Sequence, residues 1–189
     1  MQGIVVGAVI IGVAASGHAI GSAANLPANS GTELRPGLVP AEYQQWVIQA
    51  GRMCPQITSP LIAAQIKNES SFDKYALSPA GAQGPAQFMP STWALYGHDD
   101  SGTGAASPFD IGDAVSAQGR FMCDIAAEID AGIAQATIAA PDGPVELYLA
   151  AYNAGLGAVQ ESGGFPSYSE TRHYADQICS DEKQFTFDQ

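Results

Sequence analysis

The sequence predicts a mainly helical domain in which β-structure is at most a minor component. Three observations lead to this fold class. Apolar residues recur at steps of three and four in most segments after residue 40, which is the helical period. Prolines stand where helices can begin and a glycine where one can end, as at Pro60, Pro144 and Gly155. Alternation of apolar and polar residues, which would indicate strands, is scarce.

Length and composition allow one domain with a hydrophobic core. The chain has 189 residues, of which 46% are hydrophobic and 14% charged. A domain typically has about 150 residues, so we expect one domain plus a short extension. A wholly disordered chain is excluded because it would be poor in apolar residues and rich in charge.

The first segment is typical of a secretory signal or a membrane anchor. Residues 3–15 form an apolar run of 13 residues, shorter than the about 20 that span a bilayer. Gln2 stands where a cationic residue is expected. A buried helix is the alternative, but the glycines of the run disfavour it. We predict a signal peptide or anchor at 1–24 and a Pro-, Asn-, Ser- and Gly-rich linker at 25–40. The chain is then secreted or envelope-associated, and contacts a membrane only through its N-terminal apolar segment.

The first two helices of the domain can be placed from their start signals. Pro40 precedes a helix over residues 41–50, whose apolar side chains share one face. The second helix is predicted to begin with Ser59 as N-cap and Pro60 at its first helical position. Its inward face then carries Glu69 near the carboxyl end. A carboxylate on an apolar face costs free energy unless it has a partner or a function.

The middle of the domain is irregular in sequence. Residues 73–90 are rich in Gly, Pro, Ala and Ser and follow no regular period, and Ser91 can open a short helix. Residues 97–108 form a polar loop whose oxygens do not match the spacing of an EF-hand, so we expect it to be structural.

The second half of the domain is predicted to be helical up to a short tail. Helices are expected over residues 110–131, 144–153 and 170–179, the second ended by Gly155. The domain is therefore predicted over residues 41–180, followed by a tail at 181–189.

Charge and cysteine content exclude several kinds of ligand. Seven cationic against nineteen acidic residues give a net charge of −12, which excludes a basic nucleic-acid groove. The sequence contains no Cys-x-x-Cys motif and no cluster of His and Cys, so we expect neither a metal nor another cofactor. Three cysteines allow one disulfide and one free thiol, with three possible pairings. We favour Cys54 with Cys123, because each adjoins a core helix, which leaves Cys179 free or bonded outside the domain.

Several sequence blocks occur together in the predicted domain. They are Glu69-Ser70-Ser71-Phe72, the loop sequence at 76–93, Ala151-Tyr152-Asn153-Ala154-Gly155 and Glu170-Thr171-Arg172-His173-Tyr174. In this order and spacing they resemble the soluble lytic transglycosylases, bacterial enzymes that cleave peptidoglycan and have a lysozyme-like fold. The resemblance covers roughly residues 41–180. It implies a single lysozyme-like domain with a glycan-binding cleft, acting on peptidoglycan strands as a monomer.

The resemblance implies a role for each matching residue. Glu69 heads the Glu-Ser motif and would be the catalytic acid and base. The expected substrate-binding residues are Ser70, Gln87, Tyr152, Asn153 and Tyr174. Among them, Tyr174 would bring its hydroxyl to Glu69, and Ser70 would bond to the substrate or to the carboxylate. Ordinary alternatives remain open, namely a loop-bonding Gln87, a helix-capping Asn153 and core packing of the two tyrosines.

One departure from the family pattern concerns substrate contacts. Pro85 and Ala86 replace the Leu-Met of the family's Gly-Leu-Met-Gln block. We expect Ala86 to remove a long side chain that would pack against sugar, and Pro85 to stiffen the loop and delete a backbone donor.

The single glutamate favours a lyase. Hydrolysing glycosidases normally use two carboxylates, and Glu69 has no evident partner in the sequence. In the resembling family one glutamate protonates the bond between N-acetylmuramic acid and N-acetylglucosamine. It then takes the proton from the muramoyl 6-hydroxyl, which gives a 1,6-anhydro sugar.

Three alternatives remain beside this hypothesis. The first is a lysozyme-type hydrolase that recruits Asp99 or Asp100 as a second carboxylate. The second is a glycan-binding module that has kept the cleft and lost turnover. The third is a protein whose weak cleavage makes room for an envelope-spanning assembly.

Overall fold

The computed structural model describes residues 33–187, and this part of the chain is mainly helical. Its elements in chain order are β1 (Glu33–Leu34), α1 (Ala41–Ala50), α2 (Ser59–Ser70), α3 (Pro90–Tyr96), α4 (Ile111–Ala134), α5 (Pro144–Ala154), α6 (Leu156–Ser162), α7 (Ser169–Phe185) and β2 (Thr186–Phe187). The segments at 1–24 and 25–32, predicted as signal or anchor and as part of the linker, lie outside the described residues. Among residues 33–187 no helix is long and apolar enough to cross a bilayer.

The core forms where α2, α4, α5 and α7 meet. Helix α2 packs mainly on α7, α1 packs on α4, and α5 packs between α4 and α7. The largest completely buried apolar side chains are Tyr43, Ile57, Leu61, Ile62, Ile66, Phe88, Met122, Ile129, Tyr148, Leu149 and Ile178. Helix α2 is buried from Ser59 to Ile66, and its last turn reaches the edge of the core, where Asn68 is exposed.

Helix α2 begins one residue earlier than the sequence suggested. Thr58, not Ser59, is the N-cap: its backbone is extended and its hydroxyl accepts from the Leu61 N–H at 3.1 Å. Ser59 is already helical and buried, and it packs so closely on Gly51 that a Cβ at residue 51 would overlap it. Pro60 therefore occupies the second helical position. The prediction of Ser59 as the cap was wrong because two neighbouring hydroxyl residues offered the same signal.

The later helices differ from prediction mainly at their ends. Helix α4 has Asp110 as its N-cap, with the carboxylate accepting from the Asp113 N–H at 3.1 Å, and extends to Ala134. Helix α7 continues to Phe185 instead of ending near Cys179. Helix α6 was not predicted. It follows directly from Gly155, whose φ of +93° lets the chain end α5 and start α6.

A disulfide and a short strand pair each join parts of the chain that are distant in sequence. Cys54 and Cys123 form a disulfide that ties the α1–α2 turn to α4, while Cys179 is free and half-buried. Strands β1 and β2 pair antiparallel, with Glu33 opposite Phe187. This pair joins residues from the ranges assigned to the linker and to the tail.

The loop over residues 97–108 is held by acidic side chains. Asp113 is completely buried and accepts from the backbone N–H groups of Ser101 at 2.9 Å and Ser107 at 3.0 Å. Asp99 accepts from two further N–H groups of the loop, at 2.8 and 2.9 Å. Asp100 forms a salt bridge of 2.7 Å with Arg120 on α4. Each carboxylate thus has a partner that orders the loop.

Candidate active site

Glu69 lies in the last turn of α2 and points toward α7. Its Oε1 accepts a hydrogen bond of 2.5 Å from the Tyr174 hydroxyl. Burial raises the pKa of Glu69 from 4.5 to about 7, and the hydrogen bond from Tyr174 partly opposes that rise. The negative end of the α2 dipole also disfavours the ionised form. The carboxyl group can therefore hold a proton near neutral pH and also release it.

Two tyrosines surround this carboxyl group. Tyr174 on α7 donates to Glu69, and its hydroxyl oxygen accepts from Gln65 Nε2 at 3.1 Å. Tyr152 on α5 donates to the Ala86 carbonyl at 2.8 Å. The pKa values of both phenols are raised well above 10 by burial, with the charge of Glu69 as the next cause. Both tyrosines therefore remain neutral hydrogen-bond donors beside Glu69.

The loop between α2 and α3 closes over the same region. Gln87 has a left-handed backbone with φ of +51°, and its Nε2 donates to the carbonyls of Gly84 at 2.9 Å and Ala76 at 3.3 Å. Gly84 also has a positive φ, and a Cβ there would overlap the Pro108 carbonyl. The amide nitrogen of Gln87 thus holds the loop in shape, as in the alternative interpretation from sequence. Its contact with substrate stays a prediction.

Position 86 faces inward. Ala86 is completely buried and packs with Phe88 and Ala117 in a small second core, and its carbonyl accepts from Tyr152. Pro85 is buried as well. The side chain of Ala86 thus points into the protein, and the expectation that it removes a contact to sugar stays a prediction.

Two other predicted binding residues make contacts within the protein. The Ser70 hydroxyl donates to the Ile66 carbonyl at 3.3 Å, one turn back in α2, instead of to Glu69. Asn153 accepts from the Thr171 hydroxyl at 2.8 Å, which links α5 to α7. The structure thus brings Glu69, Tyr152 and Tyr174 together. Substrate contacts of Ser70 and Asn153 stay predictions.

The sequence analysis did not identify two polar residues next to the site. Gln65 on α2 and Gln118 on α4 are both completely buried, and Gln118 Nε2 donates to Gln65 Oε1 at 2.8 Å. A signal was available, because Gln65 precedes Glu69 by four residues and so shares its face of the helix. As for metals, residues 33–187 contain no group of three or more His, Cys, Asp or Glu side chains that could hold an ion.

Residues 47–174 match the family model described as the transglycosylase SLT domain. The chain belongs to this family. The match covers more than half of the chain and contains Glu69, Gln87, Tyr152 and Tyr174. The predicted family is confirmed, and with it the predicted class of protein, an enzyme.

Solved structures of transglycosylases have the same fold as this SLT domain. An inactive mutant of the lytic transglycosylase Slt from Pseudomonas aeruginosa is 20% identical with a TM-score of 0.57, over 77% of this chain and 24% of that one. The 70-kDa soluble lytic transglycosylase from Escherichia coli is 22% identical with a TM-score of 0.54, over 76% and 24%. The 70-kDa soluble lytic transglycosylase in complex with bulgecin A is 23% identical with a TM-score of 0.56, over the same shares.

These comparisons confirm the predicted mainly helical, lysozyme-like fold. The chain spans about a quarter of the length of the structures that it matches.

Proposed function

We propose that this SLT domain protein is a peptidoglycan lytic transglycosylase that uses Glu69 as its sole general acid and base. It cleaves the β-1,4 bond between N-acetylmuramic acid and N-acetylglucosamine and leaves a 1,6-anhydromuramoyl end. The observation that carries this proposal is the state of Glu69. It is a half-buried residue whose carboxyl group has its pKa raised by burial to about 7, is bonded to Tyr174, and is perturbed by no other carboxylate of residues 33–187.

The first step needs a proton. Glu69, protonated because its pKa is raised, gives that proton to the glycosidic oxygen as the bond to the muramoyl C1 breaks. Positive charge develops on the sugar, and N-acetylglucosamine leaves with a new hydroxyl. The ionised Glu69 is then stabilised by the hydrogen bond from Tyr174.

The second step returns the proton. The carboxylate of Glu69 takes the proton of the muramoyl 6-hydroxyl, whose oxygen forms a bond to C1. The acid is regenerated, no water is consumed, and the substrate's acetamido oxygen steadies the cation in between. One carboxyl group that cycles between two states near neutral pH is sufficient for both steps.

The hydrolase alternative requires a second carboxylate that is free to act. Asp99 accepts from the backbone N–H groups of its own loop, and Asp100 is paired with Arg120 at 2.7 Å. Both have structural partners on the loop and on α4, which favours the transglycosylase over a lysozyme-type reaction.

The proposal includes the surroundings of Glu69. Ser70, Gln87, Tyr152, Asn153 and Tyr174 would line the cleft that holds the glycan strand. Hydrogen bonds and stacking recognise a sugar without a positive field, so the net charge of −12 is compatible with this substrate. A secreted or envelope-associated location follows from the substrate. Because one matching transglycosylase structure is a complex with bulgecin A, this compound is a suitable probe of the cleft.

The deciding experiment digests purified peptidoglycan and weighs the muropeptides by mass spectrometry. The wild-type protein should give products lighter by one water than hydrolysis products, and Glu69→Gln should give none. Asp99→Asn and Asp100→Asn should retain the activity. Products with a reducing end would establish a hydrolase instead. Binding of peptidoglycan and bulgecin A without any product would show a binding module.

A further inference from the structure

Two buried glutamines extend the hydrogen bonding behind Glu69. Gln118 on α4 donates to Gln65 Oε1 at 2.8 Å, and Gln65 donates to the Tyr174 hydroxyl oxygen at 3.1 Å. Tyr174 in turn donates to Glu69 Oε1 at 2.5 Å. These four residues, which we call the amide relay, connect α4 and α7 to the carboxyl group through completely buried amides.

Chemistry allows only one direction for the amide relay when Glu69 is ionised. A carboxylate only accepts, so the Tyr174 hydroxyl has to donate to it. The hydroxyl oxygen is then an acceptor, and Gln65 must present its NH₂ group. Gln65 Oε1 consequently faces Gln118, which must present its own NH₂ group. The amide of Gln118 thus fixes the orientation of the Gln65 amide. The Gln65 amide in turn fixes the direction in which the Tyr174 hydroxyl donates.

The far end of the relay has an unpaired atom. Gln118 Oε1 is buried and has no hydrogen-bond partner among residues 33–187. A buried acceptor without a partner lowers the stability of the folded state. A methionine of similar length would fill the same space without that cost. Stability alone therefore does not explain an amide at position 118, whereas donation to Gln65 does.

We infer that Gln65 and Gln118 are positioning residues that keep the Tyr174 hydroxyl donating to Glu69 Oε1 and thereby place the catalytic proton on Oε2. This inference rests on the proposed function of Glu69. No group of residues 33–187 donates to Oε2, so that oxygen is left to meet the glycosidic oxygen. If the Gln65 N–H is removed, the Tyr174 hydroxyl can turn and accept the Glu69 proton at Oε1, away from the bond to be cleaved.

The relay also affects the acidity of Glu69 in a definite direction. The ionisable groups that face the carboxyl group are Tyr152 from α5 and Tyr174 from α7, and α4 contributes the uncharged Gln118. A hydroxyl that accepts from Gln65 is a stronger donor to the carboxylate. Removal of Gln65 should therefore raise the pKa of Glu69.

The test is a mutant cycle in the full-length protein. Gln65→Met, Gln118→Met and the double variant are made with Tyr174 intact and in a Tyr174→Phe background. The measurements are kcat on purified peptidoglycan against pH, and the ¹³C NMR titration of the Glu69 carboxyl carbon. Gln65 and Gln118 bond to each other, so replacing both leaves neither amide buried without its partner. The double variant should therefore fold with unchanged or higher stability.

With Tyr174 intact, the Gln65→Met and double variants should lower kcat about tenfold, a part of what general acid–base catalysis contributes. They should raise the pKa of Glu69 by about half a unit, because the hydrogen bond from Tyr174 to the carboxylate becomes weaker. In the Tyr174→Phe background the same substitutions should change neither quantity further.

Two results would overturn the inference. One is a double variant with the kcat and titration of the wild type. The other is an equal loss of kcat in the Tyr174→Phe background, which would show a packing effect that bypasses the hydroxyl. If the wild type itself cleaves no peptidoglycan, the proposed function fails. The NMR titration then still decides whether the amides act on Glu69 through Tyr174.

Discussion

Glu69 occupies a position that is unfavourable for stability and that suits its proposed role as acid and base. It lies in the last turn of α2, where burial and the helix dipole both oppose its charge. Folding therefore raises its pKa from 4.5 to about 7. The folded protein binds this proton more tightly than the unfolded chain, so the group lowers stability as the pH rises through this window.

This linkage gives a prediction for Glu69→Gln. Between pH 4.5 and 7 the folded carboxyl keeps its proton and the unfolded one loses it, so stability falls with rising pH. A shift of this size corresponds to at most about 3.4 kcal/mol. We expect Glu69→Gln to be more stable than the wild type at pH 8.5 by about 1–3 kcal/mol, and equally stable at pH 4. Urea unfolding at both pH values measures the difference.

A matched substitution tests whether the effect is specific to this carboxyl group. Glu128 on α4 is exposed, so Glu128→Gln should show the same difference from the wild type at both pH values. A stability gain of Glu69→Gln that is as large at pH 4 as at pH 8.5 would contradict the linkage argument.

At the scale of the element, the end of α2 is conformationally strained. Ser71 and Phe72 follow the helix with φ of +55° and +64°, both in the left-handed region that favours glycine. The Tyr43 hydroxyl donates to the Phe72 carbonyl at 2.8 Å, and the two rings pack edge to face at 5.2 Å. These contacts stabilise the sharp turn that separates Glu69 from the loop.

The strain predicts that a glycine at this turn increases stability. Ser71→Gly should stabilise the protein by about 0.5–1 kcal/mol, because glycine adopts the left-handed region without steric cost. Ser71→Ala retains a Cβ and should show no such gain. Ala136, after α4, has φ of +56°, so Ala136→Gly should give a similar gain away from the site. Thermal unfolding of the three variants checks this, and equal melting temperatures for Ser71→Gly and Ser71→Ala would contradict it.

The disulfide is the strongest link between the α1–α2 turn and α4. Cys54 and Cys123 are 69 residues apart, so the bond restricts a long loop of the unfolded chain. Removing it should lower the free energy of unfolding by about 2–4 kcal/mol. The measurement is denaturant unfolding of the Cys54→Ser/Cys123→Ser variant. The wild type with dithiothreitol should approach the same midpoint, and Cys179→Ser should respond to dithiothreitol as the wild type does.

Apart from α6, helix starts were predicted to within about one residue, whereas helix ends often were not. Pro144 and Asp110 mark their helix starts through local chemistry that needs no tertiary contact. The end of α7 depends on distant partners, since Lys67 and Asn68 of α2 bond to the buried Asp181 at 3.0 Å each. A window of sequence cannot show these partners, so the helix was predicted to be too short.

In the site, too, residues with a local sequence signal were predicted, and residues whose position depends on tertiary packing were missed. The helical period and the Glu-Ser motif indicated Glu69, and the late tyrosine was expected beside it. Gln65 and Gln118 were missed because glutamine is common on exposed helix faces, and only packing shows that both are buried. Gln87 and Ala86 were assigned to the cleft by motif, but their orientation depends on a loop that has no periodic pattern.

At the scale of the whole molecule, residues 33–40 and 181–187 are part of the folded domain, although they lie outside the predicted bounds of 41–180. Phe185 is 3% exposed, and its ring lies 6.3 Å from that of Phe72. A fragment of residues 41–180 lacks Phe185, Asp181 and both strands. Loss of a buried phenylalanine alone costs about 3–5 kcal/mol, so this fragment should be much less stable than residues 33–187. Melting temperatures of the two fragments test this, and equal values would show that the core ends at residue 180.

The free thiol of Cys179 has a consequence for oxidative folding. Burial raises its pKa to about 11, and the nearby charges of Glu146, Glu182 and Asp176 contribute to the rise. At pH 7 only about one molecule in ten thousand then carries the thiolate, which is the form that attacks a disulfide. Thiol exchange between Cys179 and the Cys54–Cys123 bond is accordingly slow in the native state. The protein can thus keep an odd cysteine under oxidising conditions without scrambling its cross-link.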